Sequence, residues 1–165
     1  MKRLIIMRHA KSSWDLPVSD HQRPLNERGL RNAPEMGRRI LKSQVIPEII
    51  YSSDAVRAFT TAQLVRDYIN PNIPIQVEPK IYDSTLQTLL KIIESFDEKY
   101  ATVLMVGHNP TISLLANYLA GNPVGYFATG AMACLEFTCP WKEISGSTGR
   151  LIFFDFPKNT NSAFI

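Results

Sequence analysis

Apolar positions follow two different spacings along this chain, and the alternation between the two predicts an ordered succession of strands and helices. Residues 3–7, Arg-Leu-Ile-Ile-Met, form an apolar run typical of a strand buried on both faces. The polar pair Arg8-His9 follows it directly. Helical spacing then takes over in residues 27–42 through Leu30, Ala33, Met36, Gly37, Ile40 and Leu41, with Asn26 placed to cap the start. Pro34 predicts that the regular helix begins later than that cap. Pro47-Glu48-Ile49-Ile50-Tyr51-Ser52 is a second short buried strand. Ser53 or Asp54 is positioned to cap a helix with the inner face Ala58, Ala62, Val65 and Ile69, stopped by Asn70-Pro71.

A short strand around Ile75-Gln76-Val77 leads to a helix carrying Leu86, Leu89, Leu90, Ile93 and Phe96. Thr102 to Val106 is the strongest strand signal, closed by Gly107-His108-Asn109-Pro110. Thr111 is the expected cap of a helix bearing Leu114, Leu115, Tyr118 and Leu119 that ends at Gly121. Ala131 to Thr138 and Arg150 to Phe156 read as two further strands joined by the polar loop Lys142 to Gly149. Strands alternating with helices predict an α/β fold, a mostly parallel central sheet covered on both faces in three α/β/α layers.

A length of 165 residues fits one core, so residues 1–157 are expected to form a single domain and residues 158–165 a C-terminal tail. Charge changes the picture little. Lysine and arginine number 18 against 15 acidic residues, too small an excess for the electrostatic footprint of a nucleic-acid binder. No uninterrupted apolar stretch is long enough to span a membrane, and no secretory signal is visible, which predicts a cytoplasmic protein with no membrane partner. Cys134 and Cys139 are accordingly expected as reduced, structural thiols.

In such folds ligands bind in the crevice at the carboxyl ends of the strands. Arg8-His9, Ser52 to Arg57, and Gly107-His108 all fall at predicted strand ends, so they should face one edge. Two arginines and two histidines gathered there suit a phosphoryl group. Guanidinium forks hold its oxygens and cannot lose their charge, and a neutral imidazole is already a nucleophile near neutral pH. His9 is thus the expected nucleophile, attacking phosphorus in line to give a phosphohistidine that water hydrolyses, while His108, if protonated, donates to an equatorial oxygen. Arg57, a cation at a helix start, opposes the helix dipole and so calls for a negative partner nearby.

The motifs Arg8-His9-Ala10, Arg23-Pro24-Leu25-Asn26-Glu27-Arg28-Gly29, Tyr51-Ser52-Ser53 with Arg57-Ala58 and Thr61-Ala62, and Val106-Gly107-His108-Asn109-Pro110 occur in this order. Together they resemble the histidine phosphatase superfamily, with its phosphoglycerate-mutase-like fold, and within it the short SixA-like phosphohistidine phosphatase branch. The resemblance runs from residue 3 to about 155. It implies a hydrolase acting without metal or other cofactor on a phosphorylated protein. It also implies His9 as the phosphorylated residue, with Arg8, Arg57 and His108 completing the phosphate pocket and Arg23 at the substrate rim. Ala10 stands where many members have glycine, as is common in the short branch. Asp15 stands where mutase-like members often have asparagine, and should turn away from phosphate.

The departure lies in the proton donor. Many members carry a glutamate after the third strand, whereas residues 78–83 here offer only Glu78 and Asp83. The donor is therefore Glu78, Asp83 or neither. A P–N bond can leave as protonated imidazole without a strong acid, which favours phosphohistidine over alkyl phosphates. A phosphomonoesterase of small metabolites and a non-catalytic phosphoprotein-binding module are the competing readings. No metal-ligand spacing joins the histidines. His21 reads as a satisfied surface residue, and Arg28, Arg31, Arg38 and Arg39 as the solvated face of their helix. Trp14 and Trp141 could each pack inside or line the rim. The spacing says nothing of oligomeric state.

Overall fold

In the computed structural model, which describes residues 1–165, ten regular elements follow one another. They are β1 (Lys2–Arg8), α1 (Glu27–Ser43), β2 (Ile49–Ser52), α2 (Val56–Ile69), β3 (Ile75–Val77), α3 (Leu86–Glu94), β4 (Thr102–Gly107), α4 (Thr111–Ala120), β5 (Met132–Phe137) and β6 (Arg150–Asp155). Short 3₁₀ turns lie at Asp20–Gln22, Pro79–Ile81 and Trp141–Glu143. One six-stranded sheet has the order β3-β2-β4-β1-β5-β6. β1 to β4 are mutually parallel, and β5 and β6 add an antiparallel edge. The expected three-layer α/β/α architecture is the one observed.

The apolar strand runs follow from burial on both faces. Alternate residues of β1 enter different cores: Leu4 and Ile6 pack with Leu89, Ile93, Leu115 and Leu119 of α3 and α4. Ile5 and Met7 pack with Met36, Ile40, Ala62 and Val65 of α1 and α2. Close approach of the backbone fixes two glycines. A Cβ on Gly29 would lie 2.1 Å from the Lys11 carbonyl oxygen, and one on Gly37 would meet the Val65 carbonyl oxygen at 2.9 Å, where α1 crosses α2.

Several local expectations are corrected by the structure. α1 starts at Glu27 despite Pro34, because the Asn26 side chain accepts the Gly29 N–H at 2.9 Å and tertiary packing carries the helix through the proline. α2 is capped by neither Ser53 nor Asp54, since it begins at Val56 behind Ala55. Thr111 lies inside α4, and its hydroxyl donates to the Ser84 carbonyl instead. Leu30, Leu41, Leu114 and Tyr118 face outward. Trp141 is fully buried, with its indole N–H donating to the Tyr100 carbonyl at 2.8 Å. Trp14 is exposed. Cys134 and Cys139 are free, and burial pushes the Cys134 thiol up to about 12.

Arg39 is not on the solvated face either. It is 4% exposed, donates to Glu35 at 2.9 Å and to Asp155 at 3.1 Å, and also reaches the carbonyls of Phe156 and Pro157. Asp155 in turn accepts from Asn159 and Ser162, and Phe164 stacks edge-on against Phe153 at 4.9 Å, so residues 158–165 are fastened to the domain without forming a regular element. Asp155→Ala would leave the buried Arg39 with Glu35 as its one carboxylate partner and would release Asn159 and Ser162 from their anchor. Urea unfolding is expected to show a loss of about 1–3 kcal/mol. A loss below about 1 kcal/mol, the range of surface pairs, would show that Glu35 and the carbonyls already satisfy Arg39.

Candidate active site

β2, β4 and β1 are neighbours in the sheet and run parallel, so their carboxyl ends open on one edge. β1 delivers Arg8 and then His9, whose backbone N–H continues the ladder to the Gly107 carbonyl at 3.0 Å. β4 delivers His108, and β2 leads through Ser53 into the first turn of α2, which carries Arg57. The expected convergence is present. The His9 and His108 rings lie 5.2 Å apart, and the Arg57 Nε–H points at His9 Nε2 from 3.4 Å. Thr61 couples the two segments: its hydroxyl accepts from the Ala10 N–H at 3.0 Å and donates to the Arg57 carbonyl at 2.7 Å.

His9 is 6% exposed. Its Nδ1 lies 2.7 Å from the Ala10 carbonyl, which can only accept, so Nδ1 carries the proton and Nε2 keeps its lone pair. Burial, reinforced by His108, Arg57 and Arg8, holds the His9 imidazole down at about 3. Burial also lowers His108 to about 4, with Arg57 the next cause. Both rings are therefore held toward the neutral form in the unliganded protein.

The tautomer of His108 follows from Ser53. The Ser53 hydroxyl is fully buried, accepts from the Ala55 N–H at 3.1 Å, and lies 2.8 Å from His108 Nε2. Nε2 is the one acceptor it meets, so donation in that direction leaves no buried hydroxyl proton orphaned. The His108 proton then sits on Nδ1, which is buried without a partner in the protein. Arg8 Nε is likewise buried and unpartnered, while Arg8 Nη1 donates to the Phe127 carbonyl at 3.0 Å. Asn109 Nδ2 donates to that same carbonyl at 3.0 Å. Arg8 Nε and His108 Nδ1 are thus two buried donors that no protein group satisfies.

The negative partner demanded by Arg57 is Asp20, on the loop between β1 and α1. Arg57 Nη1 donates to the Asp20 carbonyl at 2.6 Å and Nη2 to its Oδ2 at 3.0 Å. The Tyr82 hydroxyl donates to Oδ2 at 2.6 Å, and Arg23 Nε to Oδ1 at 3.1 Å. The hydrogen bond from Tyr82, then those from Arg57 and Arg23, hold the Asp20 carboxyl well below the usual range. Asp20 is thus an anion that braces Arg57 and has no proton to give. Arg23 is itself buried behind Asp20, with further bonds to Ser12 and the Ser13 carbonyl and with Trp14 stacked 3.4 Å from its guanidinium carbon.

Asp20, Arg57, Tyr82, Asp83, His108 and Asn109 line a cleft of about 330 Å³; Arg8, His9 and Arg23 are not among its lining residues. Of the two candidate donors, Asp83 reaches the cleft. Glu78 does not line it, and its carboxylate accepts from the Lys80 N–H. Sequence reading missed Asp20, Tyr82, Ser53 and Asn109. Ser53 and Asn109 lay within the strand-end motifs without being given a role, and Asp20 had a signal through the cation of Arg57 that lacked a partner. His21 lies with Nε2 2.9 Å from Asp54 Oδ1, and edge-on to Tyr82 at 4.8 Å.

Neutral burial of two histidines makes folding pH-dependent. The unfolded chain takes up protons there below 6.5, whereas the folded chain resists until about 3 and 4. Their contribution to stability is therefore complete above pH 6.5 and falls away as pH drops toward those lower values. The melting temperature of the wild type is expected to fall between pH 6.5 and 4.5 more steeply than that of His108→Asn, which cannot titrate. Parallel declines would contradict the neutral assignment.

No group of three or more His, Cys, Asp or Glu side chains is arranged to hold a metal ion, and no helix is long and apolar enough to cross a membrane. A family model described as the histidine phosphatase superfamily (branch 1) matches residues 4–88. An uncharacterized protein of Mycobacterium tuberculosis is 28% identical over 162 residues, covering 92% of this chain and 100% of that protein. A provisionally assigned phosphohistidine phosphatase SixA from Agrobacterium tumefaciens superposes with a TM-score of 0.82 at 29% identity, covering 94% of this chain and 98% of its own. The protein histidine phosphatase SixA complexed with tungstate also gives 0.82, at 24% identity, covering 94% of this chain and 97% of its own.

Proposed function

The chain belongs to the histidine phosphatase superfamily, and from that premise we propose that it removes the phosphoryl group from protein phosphohistidine through a covalent intermediate on His9. The observation that carries this reading is the lone pair of His9 Nε2, faced by the Arg57 guanidinium at 3.4 Å and with the His108 ring 5.2 Å from its own, while Arg8 Nε and His108 Nδ1 are buried donors without a partner. Positioning and charge stabilisation are what phosphoryl transfer chiefly needs.

In the first step a bond forms from His9 Nε2 to phosphorus as the P–N bond of the substrate breaks, and the departing imidazole takes up one proton. In the second, water attacks phosphorus, the bond to His9 breaks, and inorganic phosphate leaves with the proton balance restored from solvent. Arg8 and Arg57 hold the equatorial oxygens throughout, and His108 donates from Nδ1 as a neutral imidazole. Arg23 acts at one remove by fixing Asp20, and Asp20 by fixing Arg57.

A leaving imidazole needs little acid assistance, which suits a cleft whose braced carboxylate, Asp20, is held ionised. Asp83 at the cleft favours a second reading, in which that carboxyl protonates an alkoxide leaving from a small phosphomonoester. Parallel steady-state assays on a phosphohistidyl peptide and on alkyl phosphates separate the two. We expect kcat/KM for the peptide to exceed that for alkyl phosphates by at least about a hundredfold, the scale of one general acid–base contribution. The reverse order, lost in Asp83→Asn, would establish the phosphomonoesterase.

A further inference from the structure

A second hollow shares none of the cleft's lining residues and is tied to the site through residues 126–130, where the Gly130 N–H donates to the His9 carbonyl at 2.9 Å. Its volume is about 280 Å³; Phe154 and Phe156 form the apolar part, Tyr126 stands on one side, and Arg28, Asn32 and Lys158 supply polar groups. No carboxylate lines it. Arg28 sits in the first turn of α1, where a cation opposes the helix dipole, and its Nε is buried with no partner in the protein. An apolar pocket with two cations and no anion is complementary to an apolar group accompanied by a carboxylate.

The turn at Tyr126 and Phe127 links the hollow to the site. Phe127 offers the carbonyl that anchors Arg8 and Asn109, while its neighbour Tyr126 is 82% exposed and lines the hollow. A substrate that fills both depressions must cross this turn, as an extended chain can and a small phosphate ester cannot. Exposed tyrosine and arginine beside an apolar pocket are also the residue types that most often anchor a protein partner.

We propose that this hollow is a specificity subsite for the polypeptide that carries the phosphohistidine, taking a bulky apolar side chain against Phe154 and Phe156 and an adjacent acidic side chain at Arg28 and Lys158. The proposal rests on the phosphohistidyl-protein reading above. It makes the protein selective among phosphorylated proteins by the residues flanking the histidine, without altering the chemistry at His9.

The test uses phosphoramidate, which engages the phosphate cradle alone, and two phosphohistidyl peptides that differ only in a flanking Phe-Asp or Ala-Lys pair. The wild type is expected to favour the Phe-Asp peptide by roughly ten- to a hundredfold in kcat/KM. Asn32→Trp, which fills the hollow from the surface of α1, and Lys158→Glu, at an exposed position, should both erase that preference and leave phosphoramidate hydrolysis unchanged. A wild type that hydrolyses phosphoramidate and both peptides equally well would overturn the subsite and leave the phosphohistidine reading intact. Preference retained in both variants would also overturn it. Failure of the wild type to hydrolyse any of the three would overturn both readings.

Discussion

His9→Ala is expected to lower kcat by on the order of 10⁴-fold or more while the protein still binds inorganic phosphate. The asymmetry follows from the division of labour in the cleft. His9 Nε2 supplies the attacking lone pair, its tautomer fixed by the Nδ1 contact of 2.7 Å to Ala10, and the other imidazole places its single proton on the nitrogen away from Ser53. The guanidiniums of Arg8 and Arg57 survive the substitution and continue to present charge to phosphate oxygens. Rapid mixing with a labelled phosphoryl donor followed by an alkaline quench should leave label on the wild type, since phosphohistidine survives alkali, and none on His9→Ala. Turnover in His9→Ala within tenfold of the wild type would demand a different nucleophile. Unlabelled but fully active wild type would exclude the covalent route.

Arg57→Ala should cost about 10³- to 10⁵-fold in kcat/KM, the range found when an arginine that serves a phosphoryl transition state is removed. Unlike the first substitution, it should weaken phosphate binding as well. Arg57 is the one residue that touches His9 Nε2 and also receives the Asp20 brace, through contacts of 3.4, 2.6 and 3.0 Å. Lysine cannot reproduce a fork that spans three acceptors, so Arg57→Lys should recover little. A second readout separates loss of charge from general disorder. Arg57 is, after burial, the largest influence lowering His108, so its removal should move that imidazole back toward 6.5. Imidazole nitrogen shifts followed against pH would register this rise in a protein that remains folded. An unmoved His108 together with near-normal activity would place Arg57 outside the site.

Much of this architecture is legible before any coordinates. The β1 and β4 runs are unmistakable because a strand buried on both faces needs an apolar residue at every position, and Arg8-His9 and Gly107-His108 stand at their ends for the same reason. Errors concentrate where a residue's role depends on what lies across from it. Ser53 has the chemistry of a helix cap, yet its hydroxyl serves His108 and the Ala55 N–H. Leu30 and Leu114 obey helical spacing and still face outward, because the width of the buried stripe is set by the sheet beneath it and not by the helix.

Arg39 and Asp20 show the same limit with charges. Arg39 is surrounded in sequence by other cations and reads as solvent-facing, but β6 brings Asp155 against it from 116 residues away. Asp20 belongs to a loop with no regular element except one short turn, and only the folding of that loop over α2 delivers its carboxylate to Arg57.

The chain by itself determined the strands, the helices, a mostly parallel sheet and the four side chains gathered at one edge of it, because those features depend on local periodicity and on the fixed direction of each strand. Tertiary structure alone decided which carboxylate braces Arg57, which nitrogen of His108 carries the proton, and that a cationic, aromatic hollow is linked to the site through Tyr126 and Phe127. Such properties arise from distances between residues far apart in sequence, and in the dry interior those distances govern both charge and hydrogen bonding.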